Sequence, residues 1–301
     1  MDALGMSLQD IARSVLAQYD IDPVKIQVIQ QGGVKTVWKV TTGKGAFCLK
    51  RLKQTKEKAL FSVEAQRYIK SKGGNVPAVI LNKSHEAVTE MNNELFALYE
   101  WIEGKQLNFD SKEDFMAAME GLAQFHKFSK GYQPPESARV STKIAKWPAQ
   151  YRSMLNRLSE WKSISSQKAG TSVYDAYLKW VDPIMALGEK AVEYLEDSCY
   201  SSLSVPDSQA IVLCHQDYGK GNALLTPAGV WVLDIDGVTF ELAARDLRKI
   251  ILKTMENHGK WQEESMMEIL AWYERANALS MEEKLALRQR QQQPHWHAAR
   301  E

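Results

Sequence analysis

The sequence predicts an α+β protein of two lobes, an antiparallel β-sheet lobe with helices over residues 1–103 and a larger, mainly helical lobe over 104–301. Three observations carry this. Between Lys25 and Leu52 the sequence reads as short strand-like runs, and glycine-rich turns separate them. From Ser111 the apolar spacing lengthens to three and four, the period of a helix, and holds for long stretches. At 301 residues the chain can enclose two cores.

Taken in order, Ser7-Leu8-Gln9-Asp10 is a capping-box-like helix start, after which Leu8, Ile11, Val15, Leu16 and Tyr19 share one face. Strands are expected at 26–31, 36–41 and 46–52, joined by turns at Gly32-Gly33 and at Thr42-Gly43-Lys44-Gly45. Glycines have no Cβ and let backbone N–H groups close on phosphate oxygens, so Gly32 and Gly33 are candidate nucleotide contacts. A plain hairpin explains them too. Val34, Lys35 and Thr36 are the nearest side chains that could cover a phosphate.

Lys50 ends the next apolar alternation, and a helix over 56–72 carries Glu64 and closes at Gly73-Gly74. A strand near 87–90 and a turn at Asn92-Asn93 precede a buried strand over 94–101, which leads into Ile102-Glu103-Gly104 and the lobe boundary. The helix over 111–129 places Phe115, Met119, Leu122 and Phe125 inward, with His126 as a core or inter-helix histidine. Another helix starts at Trp147-Pro148. The stretch 172–195 is amphipathic, with Tyr177, Trp180, Val181, Ile184, Ala191 and Leu195 on one face. Those aromatics fit core packing, and a substrate pocket would use the same spacing. After the 211–236 stretch, helices are expected at 242–257 and 261–279, then a polar, glutamine-rich end read as frayed surface.

A net charge of +1 and a pI near 7.7 give no case for nucleic acid or an anionic membrane as partner. Residues 1–100 hold 14 Lys and Arg against 10 Asp and Glu, a slight basic excess that suits a nucleotide. No leader pattern opens the chain and no apolar run could span a bilayer, so cytoplasmic synthesis is expected. Cys48, Cys199 and Cys214 lack the spacing of a disulfide framework or a metal site.

Residues 211–236, IVLCHQDYGKGNALLTPAGVWVLDID, read as a short strand, a polar loop and a hairpin turning at Thr226-Pro227-Ala228-Gly229. Pairing across that turn sets Leu225 opposite Val230 and Asn222 opposite Leu233. Asn222 and Asp234 therefore meet at one end of the hairpin. An amide oxygen and a carboxylate converging there suit Mg2+, which keeps its other positions for water and phosphate. Asp217, in the loop beside them, is left to orient a hydroxyl.

His215-x-Asp217-x-x-x-x-Asn222 followed by Asp234 resembles the catalytic loop and metal-binding Asp of the protein-kinase-like superfamily. Small-molecule kinases of the aminoglycoside and choline type are the closer match. No D-F-G follows, and only twelve positions separate Asp234 from Asp246, too few for an activation loop. HQDYGKGN, LAQFHKFSKGY and KWPAQY further resemble the CotS family of bacterial spore-coat proteins over nearly the whole chain. The resemblance implies a two-lobed protein-kinase-like fold with ATP and Mg2+ as cofactors. It also implies that Lys50, fixed by Glu64, holds the α- and β-phosphates and that the backbone of Glu100–Ile102 reads adenine. Asp217 then acts as base, His215 braces the loop more than it carries protons, and Asn222 and Asp234 bind metal. Asp246 caps a helix or buttresses the loop. Asp236 reads equally as a carboxylate near the metal and as a solvated loop residue.

Two functions follow. One is an ATP- and Mg-dependent phosphotransferase acting on a small-molecule hydroxyl in association with the spore coat; the other is a non-catalytic coat module that keeps the fold and binds other coat proteins. Carboxylates gathered without a metal repel one another, which favours the enzyme. The basic end of the chain argues against a polycationic antibiotic as substrate.

Overall fold

The structure is a computed structural model that describes residues 7–32 and 35–291. Gly33, Val34 and the end of the chain beyond 291 therefore lie outside the described residues, with whatever the sequence suggests for them. By compactness the chain forms two units. The first comprises Met1–Ser141, His215–Thr239 and Trp272–Asn277, and the second the remaining segments.

In the first unit, helix α1 (Leu8–Leu16) begins where Ser7 accepts a hydrogen bond from the Asp10 N–H. Strands β1 (Pro23–Gly32), β2 (Lys35–Thr42) and β3 (Gly45–Leu52) form consecutive antiparallel hairpins. Helix α2 (Lys56–Ser71), the short strands β4 (Val79–Ile80) and β5 (Thr89–Met91), and strand β6 (Glu94–Glu100) complete the sheet, in which the order is β1-β2-β3-β6-β4 and β5 also pairs with β6. The β5–β6 turn uses Asn92 and Asn93 at positive φ, a conformation asparagine tolerates well.

Register sorts the sheet into two faces. Pairing Trp38 with Leu49 and Leu49 with Leu98 puts Trp38, Val40, Leu49, Phe96 and Leu98 on the face covered by Ile11, Val15, Leu16 and Tyr19. Burying each such side chain fully is worth about 1.5–3 kcal/mol. Pairing Val37 with Lys50 and Cys48 with Tyr99 puts Lys35, Val37, Cys48, Lys50 and Tyr99 on the other face. Farther along β3 and β6 that face packs Leu52, Leu95 and Ala97 with Ala59 and Val63 of α2.

Strand β7 (Lys105–Gln106) follows, and Gly104 lies just before it within the first unit. Helix α3 (Lys112–Ser129) is capped by Ser111. His126 is fully buried there and meets the Tyr273 hydroxyl at 2.9 Å through Nδ1, as a core histidine should. In the second unit, α4 (Trp147–Ser166) and α5 (Ser172–Glu196) pack along each other, followed by the short α6 (Tyr200–Leu203) and strand β8 (Ile211–Cys214). Trp147 stacks on Tyr200 at 4.4 Å and gives its Nε1–H to Glu241 at 2.7 Å. Of the aromatics expected on the buried face of α5, Trp180 is exposed, its ring under the Lys179 ammonium, whereas Val181 and Leu195 are buried.

Strands β9 (Ala223–Thr226) and β10 (Gly229–Val232) form the expected hairpin, with Leu225 opposite Val230, and β7 adds to its edge. Strand β11 (Thr239–Leu242) pairs with β8. Helices α7 (Ala244–His258), α8 (Glu263–Glu274) and α9 (Met281–Gln291) are the last elements of the described residues. Asp246 is buried in the first turn of α7. The sequence reading missed β4, β7, β11, α6 and α9, elements too short or too polar to show a clear period.

Two helical glycines sit against neighbours of different stiffness. A Cβ on Gly121 of α3 would meet Val230 Cβ at 2.7 Å, at the branch point of a strand residue, whereas one on Gly188 of α5 would meet the rotatable Leu155 Cδ2 at 2.6 Å. Alanine gains about 1 kcal/mol of helix propensity over glycine, and overpacking costs about 1–3 kcal/mol. Gly121→Ala should accordingly lower stability by ~1 kcal/mol or more in urea unfolding, while Gly188→Ala should be neutral or stabilising.

Candidate functional site

A cleft of ≈ 460 Å³ opens on the polar face of the sheet, lined by Lys35 and Val37 of β2, Cys48 and Lys50 of β3, and Tyr99, Glu100, Trp101 and Ile102 at the end of β6. Asn222, Leu233, Asp234 and Asp236 close its other side. Every one of these residues belongs to the first unit.

The loop after β8 is held by main-chain contacts. His215, 1% exposed, lies edge-on to the rings of Phe125 and Tyr218, and the Tyr218 hydroxyl donates to the Ala118 carbonyl of α3 at 2.6 Å. The His215 Nε2–H donates to the Leu233 carbonyl at 2.8 Å, which leaves Nδ1 to accept the Asp217 N–H at 3.3 Å. These partners select the neutral Nε2–H tautomer. With both ring nitrogens engaged, His215 ties the loop to the hairpin. Leu233 also gives its N–H to the Asn222 carbonyl at 2.9 Å, extending the hairpin to the pair the sequence placed opposite. Farther out, Val232 donates to the Asn75 carbonyl at 2.9 Å and the Lys70 ammonium lies over the Trp231 ring at 4.2 Å, tying β10 to the end of α2.

Asp217 is exposed on this loop. The Asn222 side-chain N–H donates to the Asp217 carbonyl at 2.9 Å, which orients the amide and leaves its oxygen as the donor atom for a hard cation. Two non-glycine residues here have left-handed backbone, Gln216 with φ 67° and Asp234 with φ 56°. That conformation costs roughly 1–2 kcal/mol and persists only where contacts enforce it. Gln216 is held through its side-chain N–H to the Gly237 carbonyl, and Asp234 through its carboxylate.

Lys50 Nζ lies 2.5 Å from Asp234 Oδ1 and 2.6 Å from Asp236 Oδ2. Lys35 Nζ lies 2.7 and 2.9 Å from the two Asp234 oxygens and 3.4 Å from Asp236. Burial by itself would lower the pKa of Lys50, yet the charges of Asp236 and Asp234 outweigh it and raise that pKa above the ordinary lysine value. Asp234 shows the converse: burial pushes its pKa up, and the two ammonium groups, Lys50 foremost, bring it down to about 2. Oxygens from Asp234, Asp236 and Asn222 on one cleft wall make a donor set that fits Mg2+.

Lys50 and Glu64 do not pair. Glu64 binds Arg67 at 2.9 Å along the outer side of α2, and the residue of that helix that lines the cleft is Gln66, whose Nε2–H donates to the Pro77 carbonyl at 2.6 Å. Two positions on a helix are about 200° apart, so Glu64 is turned away from the face that Gln66 presents. Asp234 and Asp236 take its place as partners of Lys50. Asp236 was the ambiguous carboxylate in the sequence, because nothing local distinguishes it from a solvated loop residue. Of the three side chains nearest the glycine turn, Lys35 reaches the cleft and Thr36 is buried on the opposite face. Gly32 pairs with Lys35 at the end of the hairpin. At the end of β6, Glu100 and Trp101 give their N–H groups to Ala78 and Ala46, and the Glu100 carboxylate accepts from Ala78 N–H at 3.2 Å. Ile102 N–H is the donor of this segment that no other described residue uses.

Residues 13–291 match the family described as "Spore coat putative kinase YutH". The chain is 24% identical over 268 residues to Spore coat protein S of Bacillus subtilis (strain 168), a match covering 88% of this chain and 76% of that protein. In fold it is similar to an aminoglycoside phosphotransferase from Alicyclobacillus acidocaldarius, with a TM-score of 0.72 at 17% identity over 92% of this chain and 81% of that one. It is also similar to the amicoumacin kinase hAmiN in complex with AMP-PNP, Ca2+ and Ami, with a TM-score of 0.61 at 14% identity over 95% and 84%. The two-lobed kinase-like fold class is that of these structures. No helix among the described residues is long and apolar enough to cross a membrane.

The ion cluster has a definite acid signature. Because its folded pKa of about 2 lies below the ordinary 3.8, the Asp234 contribution to stability is complete above about pH 4 and is lost as pH falls toward 2. Asp234→Asn should thus unfold at lower urea than the wild type at neutral pH, and the gap between the two midpoints should narrow as the pH is taken from 4 towards 2. A gap independent of pH would mean that the carboxylate charge is not what matters.

Proposed function

The chain belongs to the YutH spore-coat family, and we propose on that premise that it transfers the γ-phosphoryl group of ATP, with Mg2+, to a hydroxyl of a small molecule in the setting of the spore coat. The observation that carries this reading is the meeting of Lys35, Lys50, Asp234 and Asp236 in a cleft whose far end offers the unused Ile102 N–H. A nucleotide needs these features together: a backbone donor and an apolar wall for a base, ammonium groups for phosphates, and hard oxygens for a cation.

Lys50 binds the α- and β-phosphates, with its rotamer set by Asp234 and Asp236 where relatives of the fold would use a glutamate from the helix. Asn222 and Asp234, with Asp236 beside them, hold Mg2+, which would neutralise charge on the phosphates. Asp217, exposed beside the amide that it helps to orient, accepts the acceptor hydroxyl's proton or points that hydroxyl at the phosphorus. His215 keeps the loop that carries Asp217 docked on the hairpin. The acceptor is a small molecule, since the twelve positions between Asp234 and Asp246 leave no room for the activation loop that presents proteins.

One observation favours the other reading, a coat module without catalysis. Lys35 and Lys50 neutralise the two aspartates, so the converging carboxylates need no metal to be tolerated and their presence alone does not require an enzyme.

Thermal unfolding with ATP separates the two. Mg2+ and ATP at about a hundred times the dissociation constant should stabilise the protein by roughly 2.7 kcal/mol, and Asp234→Ala should lose the Mg2+-dependent part. No shift up to millimolar nucleotide would favour the coat module. Once an acceptor is found by screening hydroxylated metabolites, Asp217→Asn should lower kcat by about 10²–10⁴ and leave nucleotide affinity nearly unchanged. A variant that turns over normally removes Asp217 from the mechanism.

A further inference from the structure

Lys35 is a second ammonium where a phosphate-binding lysine already stands, and the β-ladder puts it there. Val37 pairs with Lys50, and Lys35, two residues earlier on the same strand, projects from the same face. Its contacts overlap those of Lys50 and add one: both ammonium groups reach Asp234 Oδ1 and Asp236 Oδ2, and Lys35 also holds Asp234 Oδ2 at 2.9 Å. The two lysines also differ in freedom. The Lys50 side chain is 9% exposed and locked in the sheet; that of Lys35 is 31% exposed, at the first position of β2. Of the two, only Lys35 can exchange partners without leaving a buried charge behind.

We infer that Lys35 competes with a divalent cation for Asp234 and, on releasing that carboxylate, binds the phosphates of the nucleotide. The inference rests on the nucleotide reading above and adds a residue to it. Two lysines and two aspartates form a neutral set. A cation approaching Asp234 therefore works against the Lys35 charge, and the phosphates that accompany it supply the anion to which that charge moves. Metal alone binds weakly and metal with nucleotide binds well, so Lys35 couples the two ligands.

The consequence is a pair of effects of opposite sign. In Lys35→Gln, calorimetric titration with Mn2+ or Mg2+ alone should show affinity raised on the order of tenfold, because one positive charge beside the site is gone. Affinity for ATP at saturating Mg2+ should fall on the order of tenfold, from the loss of a charge-assisted phosphate contact. Lys35→Arg keeps the charge and should return both affinities toward the wild type, and unfolding curves of each variant exclude misfolding as the cause. Metal affinity that is unchanged or weakened in Lys35→Gln, or nucleotide affinity that is unchanged, overturns the inference while leaving the nucleotide reading intact. A wild type that binds no nucleotide at any Mg2+ concentration overturns both.

Discussion

A lysine ammonium held between two aspartates ties the first unit together. Lys50 is nearly buried, and a buried cation without partners would cost several kcal/mol, so the sheet that carries it depends on Asp234 and Asp236 being present. Those residues in turn follow a hairpin far along the chain. The sheet and the hairpin are thus joined by charge at the cleft. The left-handed backbone at Asp234 is the local cost of that arrangement, a strain enforced by the contacts of its carboxylate.

Around this pair the polar loop is held mostly by backbone. Leu233 donates to Asn222 and accepts from His215, while the His215 ring accepts from Asp217. A side chain substituted at Leu233 would leave these bonds in place, whereas the histidine is required to make two of them. Such a scaffold holds Asp217 and Asn222 by fixing their main chain. The same economy holds at the end of β6, where two backbone donors complete the sheet and the third, on Ile102, is spared.

The two ammonium groups alter the meaning of the acidic residues. Clustered aspartates suggest a metal because like charges repel, but here the repulsion is already balanced by Lys35 and Lys50. The acidic pair is compatible with a coat protein without catalysis and with a kinase that exchanges lysine for metal. The exchange would fall to Lys35, the more exposed of the two lysines.

Much of the fold was legible in the chain because it is locally encoded. Serine caps, glycine turns and the change of apolar period from two to between three and four located α1, the first three strands, α2, α3 and α5 within a few residues. The hairpin register followed from turn length, and that register brings Asn222 to the end where Asp234 stands. Other features depend on which residues meet across the chain, and local pattern does not contain that. Glu64 lay at a plausible distance in sequence, but the phase of α2, set by packing Ala59 and Val63 on the sheet, turned it outward and gave the cleft Gln66. Trp180 kept the helical spacing of a core residue, yet it lies exposed on α5. Lys35 was one of three side chains near the glycine turn and Asp236 an ambiguous loop carboxylate until the fold set each against an opposite charge. Sequence by itself determined the elements, their order and the residues able to carry chemistry, since period and turn geometry act over a few residues. Tertiary structure decided the partners, because ion pairs form between side chains that only folding brings within 3 Å.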